Sequence, residues 1–98
     1  MCQEADTLEA EIGAGRSSDA NLTLGYVIDD VAKSADEATP EIRSDAARLV
    51  ALRSNPALGN GPSSPENIAI RDRVISFVDK TCDTKLSGKI PANGHFEN

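Results

Sequence analysis

Apolar residues recur along this chain at intervals of three and four positions, the spacing of one face of an α-helix. The clearest stripe lies in residues 24–35 and consists of Leu24, Val27, Ile28, Val31 and Ala35. Alternation of apolar and polar residues, the mark of a half-buried strand, occurs only in short stretches. The pattern therefore predicts an all-α protein with four helical segments and no strand.

Two of the four helices are predicted from the same start signal. The sequences TPE at 39–41 and SPE at 64–66 each supply a hydroxyl that can cap a helix, a proline in the first turn and an acidic residue. Proline fits there because its missing N–H would have no partner within the helix. The apolar positions that follow predict the inward faces: Ile42, Ala46, Leu49 and Val50 in the third helix, and Ile70, Val74, Phe77, Val78 and Cys82 in the fourth.

The first two helices have weaker boundaries. Apolar residues at helical spacing over 3–12 predict the first helix, which Gly13 and Gly15 then close. The second helix is predicted to begin at Ser18 or Asp19, whose side chains can accept hydrogen bonds from the first free N–H groups.

Gly25 interrupts the second helix and costs about 1 kcal/mol relative to alanine in a helix interior. Either the helix starts after Gly25, or a neighbouring backbone approaches closely there. On the outer face of the same helix, Asp29 and Lys33 have the spacing of an i,i+4 ion pair.

The segments outside the helices are rich in glycine and proline. Residues 54–64 are predicted to form a loop, and residues 83–98 an irregular tail that is ordered only if an apolar side chain packs back onto the helices. The side chains able to do so are Leu86, Ile90 and Phe96. The 98 residues are thus divided into a helical bundle domain, 1–82, and a tail, 83–98. The expected architecture is a small up-and-down bundle of three to four helices.

Composition narrows the class of function. The chain has no Trp, one Tyr and two Phe, so its core must be aliphatic, and its net charge of −6 opposes binding to nucleic acid. No apolar run approaches the roughly 20 residues that span a bilayer, so no transmembrane segment is expected. The Met directly before Cys2 looks like a start supplied after removal of a leader, and we therefore expect a secreted or cell-envelope protein.

The two cysteines, Cys2 and Cys82, are the strongest candidate pair in the sequence. In an antiparallel four-helix bundle the first helix begins beside the end of the last, so their Cα atoms can approach to the roughly 4.4–6.8 Å that a disulfide needs. Such a bond implies an oxidising compartment. Three alternatives stay open: two free thiols, a bridge between two chains, and a lipid anchor on Cys2, as on the first mature residue of bacterial lipoproteins.

Other residues offer little catalytic chemistry. His95 is the single histidine, which removes most catalytic triads and histidine acid–base pairs. His95 with Cys2 and Cys82 could form a three-ligand metal site, but the spacing matches no recurring zinc module. The sequence GAGRSS at 13–18 lacks the lysine and the preceding strand of a phosphate-binding loop. We predict no catalytic residue, no cofactor and no metal.

Three stretches together resemble a group of known proteins: the early Cys2, ATPEIRSDAARLV at 38–50 and RVISFVDKTC at 73–82. Their spacing is similar to that of small exported, secreted or lipoprotein-type, all-helical proteins of actinobacteria, many without an assigned activity. The resemblance covers residues 2–82 and implies an exported or lipid-anchored bundle whose cysteines are joined. It transfers no catalytic or binding residue. Uteroglobin-like proteins also carry a cysteine near each end and enclose an apolar cavity, but this chain departs from them in length and in its few aromatics.

These observations predict a non-enzymatic exported domain that binds another macromolecule, an unknown protein partner at the cell envelope or outside the cell. The alternative is a carrier of a small apolar ligand between the helices, with Gly25 giving room. The sequence leaves the oligomeric state open.

Overall fold

The computed structural model describes residues 1–97, and within them it shows four α-helices and no strand. The helices are α1 (Cys2–Gly13), α2 (Ser17–Lys33), α3 (Pro40–Ser54) and α4 (Pro65–Cys82), with a short 3₁₀ turn, Leu58–Asn60, between α3 and α4. Each helix packs on the next, and α1 also packs on α4, which closes the bundle. The predicted small all-α up-and-down bundle is confirmed.

The starts of α3 and α4 follow the predicted capping pattern. The Thr39 hydroxyl oxygen accepts a hydrogen bond from the Ile42 amide at 3.3 Å, and that of Ser64 accepts from the Asn67 amide at 3.2 Å. In both helices a proline occupies the first turn. The caps satisfy N–H groups that the helix itself leaves free, so these boundaries are set by local chemistry.

The start of α2 differs from the prediction. The helix begins at Ser17 with Arg16 as its N-cap residue, and no side chain caps it, so the expected cap at Ser18 or Asp19 is wrong. The Asp19 carboxylate is instead paired with Arg16 at 2.6 Å. The Ser17 hydroxyl donates to the Glu97 carbonyl at 2.8 Å, a contact with the far end of the chain that sequence spacing does not reveal.

The end of α2 and the ion pair of Asp29 also differ from the prediction. The helix ends at Lys33, so Ala35 lies beyond it and is exposed rather than part of the apolar face. Asp29 pairs with Arg53 of α3 at 2.7 Å in place of the expected pair with Lys33. Asp29 is therefore paired with an arginine of the neighbouring helix and not with the lysine of its own helix.

The core is aliphatic, as the composition predicts. Its buried members are Ala5, Leu8, Ala20, Leu24, Val27, Ile28, Val31, Ala38, Ala46, Leu49, Ile70, Val74, Ile75, Val78 and Leu86. The two phenylalanines, Phe77 and Phe96, are partly buried and pack against this cluster. Burial of one Leu, Ile or Val side chain contributes about 1.5–3 kcal/mol, so this cluster is the main force holding the helices together.

The C-terminal segment after α4 is irregular and packs onto the helices through the apolar positions that the sequence indicated. Leu86 is fully buried, and Ile90 and Phe96 pack against the core. Asp83, at φ 55°, ends α4 in a left-handed conformation and turns the chain back. The residues after α4 therefore contribute to the same interior as the helices.

Asp79, one turn before the end of α4, holds the first part of this segment. Its carboxylate accepts hydrogen bonds from the Thr84 hydroxyl at 2.7 Å, the Leu86 amide at 2.8 Å and the Ser87 amide at 2.8 Å. Partial burial by itself raises the pKa of Asp79, but these hydrogen bonds outweigh it and hold the pKa below its usual value. Ionisation of the Asp79 side chain is therefore more favourable in the folded protein than in the unfolded chain.

Candidate functional site

The two cysteines that the sequence singled out are bonded to each other in the structure. Cys2 and Cys82 form a disulfide across 80 positions of sequence, with their Cα atoms 5.1 Å apart. The bond ties the start of α1 to the end of α4, as expected from the neighbouring positions of these helices. Both cysteines are used in it, so neither is a free thiol in this structure.

The metal-site hypothesis is affected directly by this bond. Cys2 and Cys82 are bonded to each other, so they do not offer thiolates to a metal together with His95. Across residues 1–97, no group of three His, Cys, Asp or Glu side chains is placed to hold a metal ion. None of the helices in this part of the chain combines the length and the hydrophobicity needed to cross a bilayer.

A cleft of about 260 Å³ lies between α2, α3, the N-terminal half of α4 and the two irregular segments. Its walls are formed by Asn21, Leu24, Gly25 and Ile28 of α2, Leu49, Leu52 and Arg53 of α3, Pro56 and Pro62 of the loop, Arg71 of α4, and Asn93, Gly94 and His95 of the C-terminal segment. The lining thus combines aliphatic side chains of α2 and α3 with polar and cationic groups from these helices, α4 and the C-terminal segment. We call this cavity the Gly25 cleft.

Gly25 lies in the wall of the cleft, in the interior of α2. The helix continues through it, so the first of the two explanations for this glycine, a later helix start, is wrong. A Cβ at this position would come within 2.9 Å of the Arg53 Nη1 atom. A neighbour does therefore approach closely, but it is a side chain rather than a backbone segment.

Arg71, on α4, is the buried cation of the cleft, with only 5% of its surface exposed. Its Nη1 donates to the Ala92 carbonyl at 2.7 Å and its Nη2 to the Pro62 carbonyl at 3.2 Å. Within the described part of the chain, no carboxylate lies within ion-pairing distance of it. Burial lowers the pKa of Arg71, and the negative charge of Asp72 opposes this shift.

The wall formed by residues 93–95 is fastened on both sides. On one side Arg71 binds the Ala92 carbonyl. On the other, the Asn21 side chain pairs with the backbone of Phe96: its Nδ2 donates to the Phe96 carbonyl at 2.8 Å, and its Oδ1 accepts from the Phe96 amide at 2.6 Å. These bonds place His95 at the cleft, and the His95 amide adds a hydrogen bond within the segment by donating to the Asn93 Oδ1 atom at 3.0 Å.

The charge of the cleft differs from that of the whole protein. The chain has 16 acidic and 10 basic residues, excluding histidine. Among residues 1–97, the lining of the cleft includes the basic residues Arg53, Arg71 and His95 and no acidic residue. Asp29 balances Arg53 at 2.7 Å, which leaves Arg71 as the cation without an acidic partner.

Two further surfaces are more open. A shallow groove between α3 and α4 is lined by Ile42, Asp72, Arg73, Ser76, Phe77 and Lys80. Leu22 and Tyr26 of α2 are the large apolar side chains that are most exposed, at 60% and 51%. These two are four positions apart and therefore share one face of the helix.

Sequence reasoning found Gly25 but missed Arg71 and Asn21. In the sequence Arg71 belongs to the charged run RDR at 71–73, which is typical of a solvent-facing helix surface. Its burial depends on the C-terminal segment folding over it, a contact across 21 positions to Ala92. Only the absence of an acidic residue four positions away in α4, at Asn67 and Ile75, hinted that this arginine has no partner on its own helix.

Comparisons with protein-family models, with curated proteins and with solved structures find no match.

Proposed function

We propose that this protein is a non-enzymatic, exported domain that acts by binding, and that its ligand is a small apolar molecule held in the Gly25 cleft. The observation that carries this proposal is the cleft itself, since it combines aliphatic walls with a few polar groups in the manner of small-molecule sites. We therefore propose the carrier function ahead of binding to a macromolecule, because the cleft supports it.

The size of the cleft limits the ligand. Its volume of about 260 Å³ lies below the range typical for drug-sized molecules. A cavity of roughly 150 Å³ already accommodates benzene, so the cleft has room for a single ring or a short alkyl chain.

Native mass spectrometry of protein purified from its natural source tests the carrier function. We expect a bound small hydrophobic molecule that is absent from Gly25→Leu, because the new side chain projects into the cleft. Gly13→Leu is the matched control, since Gly13 is exposed and a Cβ atom there meets no neighbouring atom within 4 Å. Wild-type protein that consistently carries no such molecule would count against this function.

Export to an oxidising compartment is supported by the Cys2–Cys82 disulfide, because such bonds persist where thiols are not kept reduced. Fractionation of the source organism, followed by alkylation and mass spectrometry, tests it. We expect the protein in the secreted or envelope fraction with both sulfurs protected from alkylation. Recovery in the reducing interior with two alkylated thiols would contradict export.

Binding to a macromolecule at the cell envelope is the second candidate, and it is favoured by Leu22 and Tyr26. Tyrosine is enriched in protein interfaces, and two exposed apolar side chains on one helical face form a small contact patch. A photo-crosslinking residue at position 22 should give a discrete adduct in the source organism. The same residue at the exposed Ala47 of α3 is the control, and equal crosslinking from both positions would argue against a specific partner.

A further inference from the structure

We infer that the Gly25 cleft selects organic anions, namely a carboxylate carried on a compact apolar body, and that Arg71 binds the carboxylate. The inference rests on the proposed carrier function and specifies its ligand class. It depends on three features of the cleft: a buried cation, the absence of acidic groups from the lining, and aliphatic walls.

The first step concerns the free hydrogen-bonding capacity of Arg71. A guanidinium group has five N–H donors, and Arg71 uses one toward Ala92 and one toward Pro62. Three donors therefore have no protein acceptor in the described residues. A buried charge is costly unless it is paired, so a carboxylate in the cleft would gain a charge-assisted hydrogen bond and relieve that cost.

The second step concerns charge selectivity. In a protein of net charge −6, an anion is repelled by most of the surface. The Gly25 cleft is lined instead by two arginines and a histidine, and the Asp29 carboxylate near its edge is already bound by Arg53 at 2.7 Å. An anion is therefore attracted to this cleft in spite of the charge of the whole molecule.

The third step excludes small inorganic anions as the preferred ligand. Four of the lining side chains, Leu24, Ile28, Leu49 and Leu52, are aliphatic and offer no hydrogen bond to a phosphate or sulfate ion. A ligand with an apolar body buries surface against these side chains, at about 25 cal/mol per Å² of apolar area removed from water. The apolar body and the carboxylate are thus recognised by different elements of the fold.

The test compares three probes that separate charge from apolar body: phenylacetate, its neutral analogue phenylacetamide, and acetate. Each is titrated into ¹⁵N-labelled protein while the amide signals and the Arg71 Nε signal are followed by NMR. We expect phenylacetate to shift the Gly25, Gly94 and Arg71 signals and to bind about tenfold or more tightly than phenylacetamide. Acetate should bind weakly, and added salt should weaken phenylacetate binding.

Variants then assign the anion to Arg71. Arg71→Met should remove the preference for phenylacetate over phenylacetamide. Because Arg71 also holds the C-terminal segment, Asn21→Ala serves as the control: it loosens the same segment at Phe96 but keeps the cation. Gly25→Leu should abolish binding of both aromatic probes while Gly13→Leu leaves it unchanged, and this pair does not depend on Arg71 at all.

The outcomes separate this inference from the carrier function. Equal affinity for phenylacetate and phenylacetamide in the cleft overturns anion selectivity but leaves a carrier of neutral apolar ligands. Shifts that fall outside the cleft, or a charge preference that survives in Arg71→Met, overturn the role of Arg71. If no probe shifts the cleft signals up to its solubility limit, the inference is wrong, and the native mass spectrum then decides separately on the carrier function.

Discussion

The two ends of α4 are fastened in different ways. At the C-terminal end, Cys82 is covalently bonded to Cys2, and Asp79 holds the chain that follows. Near the N-terminal end, Asn67 and Arg71 hold the loop and the C-terminal segment by donating to backbone carbonyls. The covalent end stabilises the fold and contributes no residue to the cleft. The hydrogen bonds near the N-terminal end fix the loop and the C-terminal segment, and both of these segments line the Gly25 cleft.

The largest expected effect comes from breaking the covalent end. Replacing both Cys2 and Cys82 by serine should lower the free energy of unfolding by about 4–5 kcal/mol, because the unfolded chain regains the entropy of an open loop. Urea unfolding followed by circular dichroism measures the change. Reductant should destabilise the wild type by a similar amount and leave the double variant unaffected, and a difference below about 1 kcal/mol would contradict the assigned role.

The next effect comes from the polar end. Asn67 is fully buried, and its Nδ2 donates to the Leu58 carbonyl at 2.9 Å and to the Gly61 carbonyl at 2.7 Å. Asn67→Ala leaves both acceptors without this partner and should cost about 2–3 kcal/mol in urea unfolding. Ser63→Ala, at an exposed position of the same loop, is the control and should change stability by less than about 0.5 kcal/mol.

The contribution of Asp79, near the C-terminal end of α4, depends on pH. Its pKa is lowered in the folded state, so its contribution to stability is present above the pKa of the unfolded chain, about 3.9, and is lost as pH falls through the folded-state value. Asp79→Asn should therefore flatten the loss of stability on acidification from about pH 5 downward.

At neutral pH the same variant should cost about 1–2 kcal/mol, because one carboxylate oxygen becomes a donor facing amide groups. Hydrogen exchange at Leu86 and Ser87 should quicken, whereas exchange in the middle of α3 should not. An unchanged acid transition in Asp79→Asn would show that other carboxylates govern it.

The smallest effect is expected at the cleft. Gly25→Ala should stabilise the protein by up to about 1 kcal/mol, because alanine favours the helix and the atom it meets is the flexible end of Arg53. Gly13→Ala, at the end of α1, is the control: it measures the gain in stability where the new Cβ atom meets no neighbouring side chain. Thermal unfolding of both variants shows whether the glycine in α2 provides room at a cost in stability; strong destabilisation by Gly25→Ala would mean that Arg53 cannot move.

The features that sequence reasoning predicted well are those with local causes. The caps at Thr39 and Ser64 depend on a few consecutive residues, and the apolar stripes of α2 and α4 repeat within one helix. The disulfide spans 80 positions, but it follows from the number of helices, since four helices in alternating directions bring Cys2 and Cys82 to the same end.

The features that were missed depend on contacts between distant parts of the chain. The start of α2 involves Glu97, and the cleft wall depends on Asn21 binding Phe96 across 75 positions. An asparagine in a helix or an arginine in a charged run carries no local sign of such a contact. Periodicity identifies the inward face of a helix, but it does not indicate which irregular segment will cover a polar position.

The disulfide also determines how the protein responds to a protease. Cys2 and Cys82 lie on opposite sides of the loop between α3 and α4, so one cut among its exposed residues leaves both fragments joined by the cystine. The halves then stay at high effective concentration and can remain associated through the shared core. A nicked molecule would run as one band on a non-reducing gel and as two after reduction, and its four helices would survive a cleavage that separates an unbridged chain.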